Sequence, residues 1–320
     1  MARLSGRPLL DTAADAALFV GRRPELERLG RALAERLNVL VPGPRGIGRT
    51  SLVRHQRYRM RQGEGSRLGF LDATSLTDPA AFLRAVGGVL GREVDAATPP
   101  AGVLAALAET DGLAHGALAV DGLSSAVAQV VFGQLRDEVW QLPLTWVVTC
   151  AERDEAAFLR PPADAFFDTT LRVGPMDEPD LRELLRRRSD PGELDDQAVR
   201  EAAALAGGNP RRAIDLARHL LLRGGDGDAS GPQVRDRLLD REAAVERLGT
   251  PARMLLTELE ANGGASASDE GLLERLGWTR ARAAQVLGEL ERAGLVQAAD
   301  EPRAVGRPRR VYRATDWLTA

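Results

Sequence analysis

The stretch Val39-Leu-Val-Pro-Gly43-Pro-Arg-Gly46-Ile47-Gly48-Arg49-Thr50-Ser51 carries the most concentrated chemistry in this 320-residue chain. An apolar run leads into a glycine-rich turn. Gly43, Gly46 and Gly48 allow the backbone to curl until successive N–H groups point inward, and a helix starting near Thr50 adds the positive end of its dipole. Such a cradle takes the phosphates of a nucleotide, with Gly46, Ile47, Gly48, Arg49, Thr50 and Ser51 around them. The Thr50 hydroxyl suits Mg2+. Arg49 stands where the usual motif has lysine, and its planar fork places donors differently from a compact ammonium, so weaker affinity or slower turnover is expected. All 43 basic residues are arginine, however, and the chain contains no lysine. Arg49 therefore also fits a chain-wide preference, from coding bias or from escape from a lysine-directed modification.

Three more positions belong to the same chemistry. The apolar run Ala117-Leu-Ala-Val-Asp121 puts a carboxylate at the end of a strand, where it would organise Mg2+ with Thr50; the alternative is a turn aspartate. Gly122 follows where a water-activating glutamate is common, so the general base is missing from its expected place. Arg153, after the run 144–150, is placed to sense a terminal phosphate. Arg211, in Gly208-Asn-Pro-Arg211-Arg, begins a helix from which a guanidinium could reach phosphate.

The elements that must position these groups alternate. Strands are predicted at 37–41, 67–72, 117–121, 144–150 and 170–173, with helices after Pro24 and at 79–90 and 101–109. That alternation predicts an α/β fold with a parallel sheet covered on both faces. From Pro179 onward only helical periodicity remains, which reads as a lid, and 223–232 reads as a linker. The expected organisation is an N-terminal tail at 1–17, a base at 18–176, a lid at 177–223, a linker and connecting helix at 224–247, and a last domain at 248–320. Composition sets limits: 44% hydrophobic residues support real cores, and a net charge of −3 confines any nucleic-acid contact to a local patch. The one cysteine, Cys150, excludes a disulfide framework. Metal binding by His55, His115 and His219 is not expected, because they are scattered. No apolar run reaches membrane-spanning length, Asp11 and Asp15 stand where a signal peptide needs an apolar run, and a cytoplasmic setting is expected.

The last domain reads as helices at 252–261, 268–276 and 279–293, then a strand from Leu295 and a basic return strand. This is the pattern of an α+β winged helix-turn-helix. Thr279, Arg280, Arg282 and Gln285, with Arg292, would decorate a recognition helix, and Arg303, Arg307, Arg309, Arg310 and Arg313 a basic wing against duplex DNA. The alternative is a winged helix that grips another protein.

Taken in order, Val20-Gly21-Arg22, the phosphate loop, Asp121, Arg153, Gly-Asn-Pro-Arg211 and the C-terminal winged helix resemble AAA+ ATPases of the origin-recognition initiator type. They are also similar to the related STAND signalling ATPases. The resemblance spans residues 18 to 316 and implies a P-loop AAA+ base with a helical lid, binding ATP or ADP with Mg2+. It further implies that Val20 and Gly21 flank the adenine and that Arg211 is a second phosphate sensor. Arg49 and Gly122 depart from the family pattern. The leading expectation is a nucleotide-responsive DNA-binding protein with slow or lost hydrolysis; the alternatives are an active initiator or STAND-type ATPase, and a non-enzymatic adaptor. Protein partners or self-assembly are compatible with each.

Overall fold

The computed structural model describes residues 4, 9–63, 67–109, 116–190, 192–224, 240–241, 243–245, 247–301 and 309–315. The chain divides into two compact units, residues 5–189 with 206–214, and residues 190–205 and 215–320 with 1–4.

The first unit is built on five parallel strands, β1 (Val39–Gly43), β2 (Leu68–Asp72), β3 (Gly116–Asp121), β4 (Leu144–Ala151) and β5 (Thr169–Thr170), in the order β2-β3-β4-β1-β5. The largely apolar runs of β1 and β4 are buried along nearly their whole length, as strands covered on both faces must be. One face is packed by α1 (Ala13–Ala17), α2 (Arg23–Ala34) and α3 (Arg49–Gln62), with Leu26, Leu29, Leu52 and Val53 in the core. The other carries α4 (Pro79–Val89), α5 (Pro100–Ala108), α6 (Ser125–Ala128), α7 (Arg136–Trp140) and α8 (Glu155–Phe158). There Phe132 stacks on Phe166 at 4.6 Å and meets Trp146 edge-on at 5.4 Å. Buried Asn38 ties the layers together: its Nδ2 donates to the Phe166 carbonyl and its Oδ1 accepts from the Trp146 N–H. α9 (Glu178–Arg188) completes the helices of this unit.

Three differences from the sequence expectation have physical causes. The N-terminal stretch is not a bare tail, because Thr12 caps α1, Leu9 and Asp15 are buried, and Asp11 accepts from Arg57 and Arg61 on α3. Between β3 and β4 the chain forms α6, π-helical turns over Gln129–Gln134 and α7, where no periodic apolar pattern had marked a helix. The fifth strand is only Thr169–Thr170, with Leu171 and Val173 still bonding to β1 carbonyls.

In the second unit, α10 (Asp196–Leu205) and most of α11 (Pro210–Gly224) accompany a C-terminal group of α12 (Thr250–Asn262), α13 (Glu270–Leu276), α14 (Arg280–Arg292), β6 (Val296–Glu301) and β7 (Arg309–Ala314). The expected lid is therefore shared, with α9 and 206–214 in the first unit. Residues 225–239 of the predicted linker lie outside the described residues. Leu255, Leu259, Leu272, Val286, Leu287 and Leu290 form the core of the C-terminal group. Gly277, in the left-handed region at φ +64°, stops α13, and the Thr279 hydroxyl caps α14 by accepting from the Arg282 N–H. β6 and β7 pair antiparallel, and Ala265, between α12 and α13, exchanges backbone bonds with Tyr312 of β7 at 2.9 and 2.8 Å.

Candidate nucleotide site and nucleic-acid face

Sheet register brings the site together. Gly43 at the end of β1 is paired with Ala151 at the end of β4, and Asp121 ends β3 one strand further on. Beyond Gly43 the backbone turns through Gly46 at φ +82° and Gly48 at φ +102°, conformations that favour glycine. Gly43 is needed for a second reason: a Cβ there would press on the Val173 carbonyl. α3 then starts at Arg49 with no side chain capping it, so its first N–H groups face outward and a Cβ on Gly48 would meet nothing. This is an open, positively polarised helix start, suited to an anion.

Thr50 and Asp121 are brought together as expected. The Thr50 hydroxyl donates to Asp121 Oδ2 at 2.7 Å, and the other carboxylate oxygen accepts from buried Thr149 on β4 at 2.5 Å. Both hydroxyls hold the carboxylate at the rim of the glycine loop, where Thr50 and Asp121 offer oxygen ligands of the kind a hard cation such as Mg2+ takes. Thr149 was not singled out from sequence; a hydroxyl near the carboxyl end of a largely apolar strand was the available signal.

Arg49 is half-buried beside this carboxylate. Burial lowers its pKa below the ordinary guanidinium value, the Asp121, Cys150 and Asp154 groups oppose that, and the Arg153 cation adds to the lowering. Two arginines thus converge on one place. Arg153 pairs with Asp154 at 3.5 Å through Nε, while its Nη1 is buried without a hydrogen-bond partner. A buried donor and a like-charged neighbour are both relieved by an anion between them. Cys150 is no nucleophile here, since burial pushes its thiol up to about 12.

Residues 206–214 close over the loop. The Asn209 carboxamide donates to the Arg45 carbonyl at 2.9 Å, the Arg211 N–H donates to the Gly46 carbonyl at 3.3 Å, and a Cβ on Gly46 would strike both side chains. Arg211 is thus in contact with the glycine loop. Arg22, which sequence reading passed over except within its motif, is buried in the left-handed region at φ +57°; its guanidinium pairs with Glu25 and donates to the Ile47 carbonyl at 3.2 Å. That bond links the Val20-Gly21 segment to the loop. Gly21, at φ +65°, a conformation that favours glycine, packs closely against the Asp180 carboxylate.

In the C-terminal group the predicted contact residues separate. Arg280, Arg282 and Gln285 are exposed along the first half of α14, with Arg282 bonded to Gln285 and lying over Trp278. Thr279 spends its hydroxyl on the cap. Arg309 is held by the Ser266 hydroxyl and the Asp269 carboxylate, at 2.8 and 2.9 Å, and so braces β7 against the start of α13 instead of standing free. Arg310 pairs with Glu291, and Arg313 with Glu301. Arg303 and Arg307 lie outside the described residues. The second half of α14 carries Glu289, Glu291 and the exposed Arg292, with Glu291 paired to Arg310, so the net positive charge of the helix lies in its first half.

Among the described residues there is no group of three or more histidine, cysteine or acidic residues able to hold a metal by itself, and no helix long and apolar enough to cross a membrane. No protein-family model and no curated protein matches the sequence. Solved structures are similar in fold. They include the Aeropyrum pernix ORC1 protein in complex with DNA (20% identity, 92% of this chain and 89% of that one, TM-score 0.56). The Pyrobaculum aerophilum Cdc6p structure matches at 15% identity over 95% of each chain, TM-score 0.55. The Aeropyrum pernix ORC2 protein in its ADPNP-ADP complexes matches at 16% identity over 92% of this chain and 89% of that one, TM-score 0.54. With its five-stranded parallel sheet and glycine loop, the chain is similar in fold to these proteins over most of its length.

Proposed function

We propose that this protein is an initiator-type AAA+ protein that binds ATP or ADP with Mg2+ at residues 43–51 and duplex DNA with residues 248–320. One observation carries the nucleotide reading: the Thr50 hydroxyl bonded to Asp121 beneath an uncapped, glycine-lined helix start. Bound Mg2+ would supply charge neutralisation between phosphates, held by Thr50 and Asp121. Arg49 and Arg153 bring positive charge to the terminal phosphate, and Val20 and Gly21 border the base. Arg211 binds phosphate from the opposite side, so that nucleotide selects the posture of residues 206–214.

The C-terminal group supports a winged helix: three helices, the Ala265–Tyr312 bridge and an antiparallel hairpin. Arg280, Arg282 and Gln285 then enter the major groove from the first half of α14, the half that contacts base edges in helix-turn-helix proteins. The neighbours favour the initiator reading over an inert relic, since the solved forms include ORC1 on DNA and ORC2 with ADPNP and ADP. Slow turnover is the second reading, and Gly122 favours it: it has no side chain to activate water, and its φ of +76° is a conformation that favours glycine.

DNA affinity measured with and without Mg·ATP tests the coupling. Arg211→Ala is expected to retain DNA binding and lose the nucleotide effect on it. An unchanged nucleotide effect in that variant contradicts the coupling.

A further inference from the structure

The glycine loop is pinned from outside at three consecutive carbonyls. The Arg45 carbonyl accepts from the Asn209 carboxamide at 2.9 Å, the Gly46 carbonyl from the Arg211 N–H at 3.3 Å, and the Ile47 carbonyl from the Arg22 guanidinium at 3.2 Å. In a planar trans peptide the C=O and the N–H of the next residue point in opposite directions. Each pin therefore turns one N–H, of Gly46, Ile47 and Gly48 in turn, away from the donor that holds the carbonyl. The Ile47 N–H closes the turn on the Pro44 carbonyl at 3.3 Å, and among the described residues no bond takes the N–H of Gly46 or Gly48. Arg22 holds its place against three costs. Its φ of +57° is a left-handed conformation that side chains rarely adopt, its guanidinium is buried, and it stands at the start of α2, where the helix dipole disfavours a cation. Its Nη1 meets Glu25 at 2.9 Å, which offsets the charge, and its Nη2 serves the loop. Asn209 divides its carboxamide in the same way. Oδ1 caps α11 by accepting from the N–H groups of Arg211 and Arg212, at 3.1 and 3.2 Å, while Nδ2 serves the loop.

We propose that Arg22 and Asn209 are positioning residues that shape the phosphate cradle before its ligand arrives, an inference that rests on the reading of 43–51 as a nucleotide site. Neither acts on the phosphate directly. Each works through a loop carbonyl, Ile47 for Arg22 and Arg45 for Asn209, and so holds the N–H of Gly48 or Gly46 toward the anion. The ligand that depends on them is the polyphosphate itself, with or without a base attached. The pin on Gly46 is a backbone N–H, so it does not depend on the side chain at 211.

Calorimetric affinity of the full chain for Mg·ATP and for pyrophosphate tests this. Asn209→Ser keeps an oxygen to cap α11 but lacks the donor to Arg45, and Arg22→Met keeps the packing of the stem without the guanidinium. Each is expected to weaken both ligands alike by about tenfold, the upper end of what one hydrogen bond contributes. Asn209→Ser is expected to melt with wild type, whereas Asn209→Ala, which loses the cap as well, melts lower and binds no better than the serine variant. A role in capping alone would leave the serine variant at wild-type affinity, and that result overturns the proposal. So does unchanged affinity in a folded Arg22→Met protein, or a loss confined to Mg·ATP with pyrophosphate unaffected, which would place the effect at the base. Where Arg22→Met fails to fold, Asn209→Ser decides alone. Wild-type protein that takes Mg·ATP but no pyrophosphate also overturns the proposal while leaving the nucleotide site standing, since a preshaped cradle holds a bare polyphosphate; wild-type protein that binds neither removes both.

Discussion

Arg49 illustrates how one residue decides between a working site and a relic. It lies beside Asp121 with its charge partly desolvated, and Arg153 stands near with a buried donor unmet. Such an arrangement is costly without an anion and rewarded with one. Removing the guanidinium by Arg49→Ala is therefore expected to weaken Mg·ATP binding by about 1.5–3 kcal/mol, the range for hydrogen bonds to charged groups. Arg49→Lys is expected to retain most of the affinity, because lysine supplies the same charge from a more compact head. Calorimetry on the two variants checks this, and equal losses would mean that geometry outweighs charge. His55 offers a second residue-scale test. It stacks on Phe19 at 4.0 Å, and burial followed by repulsion from Arg59 lowers its pKa below 6.5. The unfolded chain then binds the proton more readily, so stability from neutral His55 is complete above about pH 6.5 and is lost as pH falls through and below it. Melting temperature should fall between pH 7.5 and 5.5 more steeply for wild type than for His55→Phe.

At the scale of elements, the two kinds of arginine in the C-terminal group predict opposite phenotypes. Arg309 braces β7 to Ser266 and Asp269, whereas Arg280 is exposed on α14. Arg309→Ala should lower thermal stability by roughly 1–3 kcal/mol, the cost of breaking a charged hydrogen-bonded pair, and Arg280→Ala should leave stability unchanged. Arg280→Ala should instead weaken DNA binding and reduce the salt slope by about 0.9. Sequence could not separate these two, because a charge run looks the same whether its members face solvent or an acid from another element. The strands and most helices were legible for the opposite reason: apolar runs such as Val39–Val41 and 144–150 announce burial on both faces without reference to anything distant. The glycine spacing of 43–48 and the strand-end Asp121 were legible likewise. Thr149 and the Arg22–Ile47 bond were not, since each depends on register or on an approach between segments far apart in sequence.

For the whole molecule, the account joins a phosphate loop contacted by Arg211 to a C-terminal group whose positive charge is local. The net charge of −3 leaves no general attraction for nucleic acid, so DNA binding must rest on few contacts and weaken steeply with salt. A response of that binding to nucleotide requires that ATP favour one arrangement of residues 206–214 over another. All of this depends on occupancy of the loop at 43–51. Calorimetric titration of the full chain with Mg·ATP tests it most directly, with Asp121→Asn titrated alongside. One nucleotide bound per chain, with the affinity lost in Asp121→Asn or when Mg2+ is chelated, is the predicted result; no binding heat, or binding indifferent to both Asp121 and Mg2+, would contradict it.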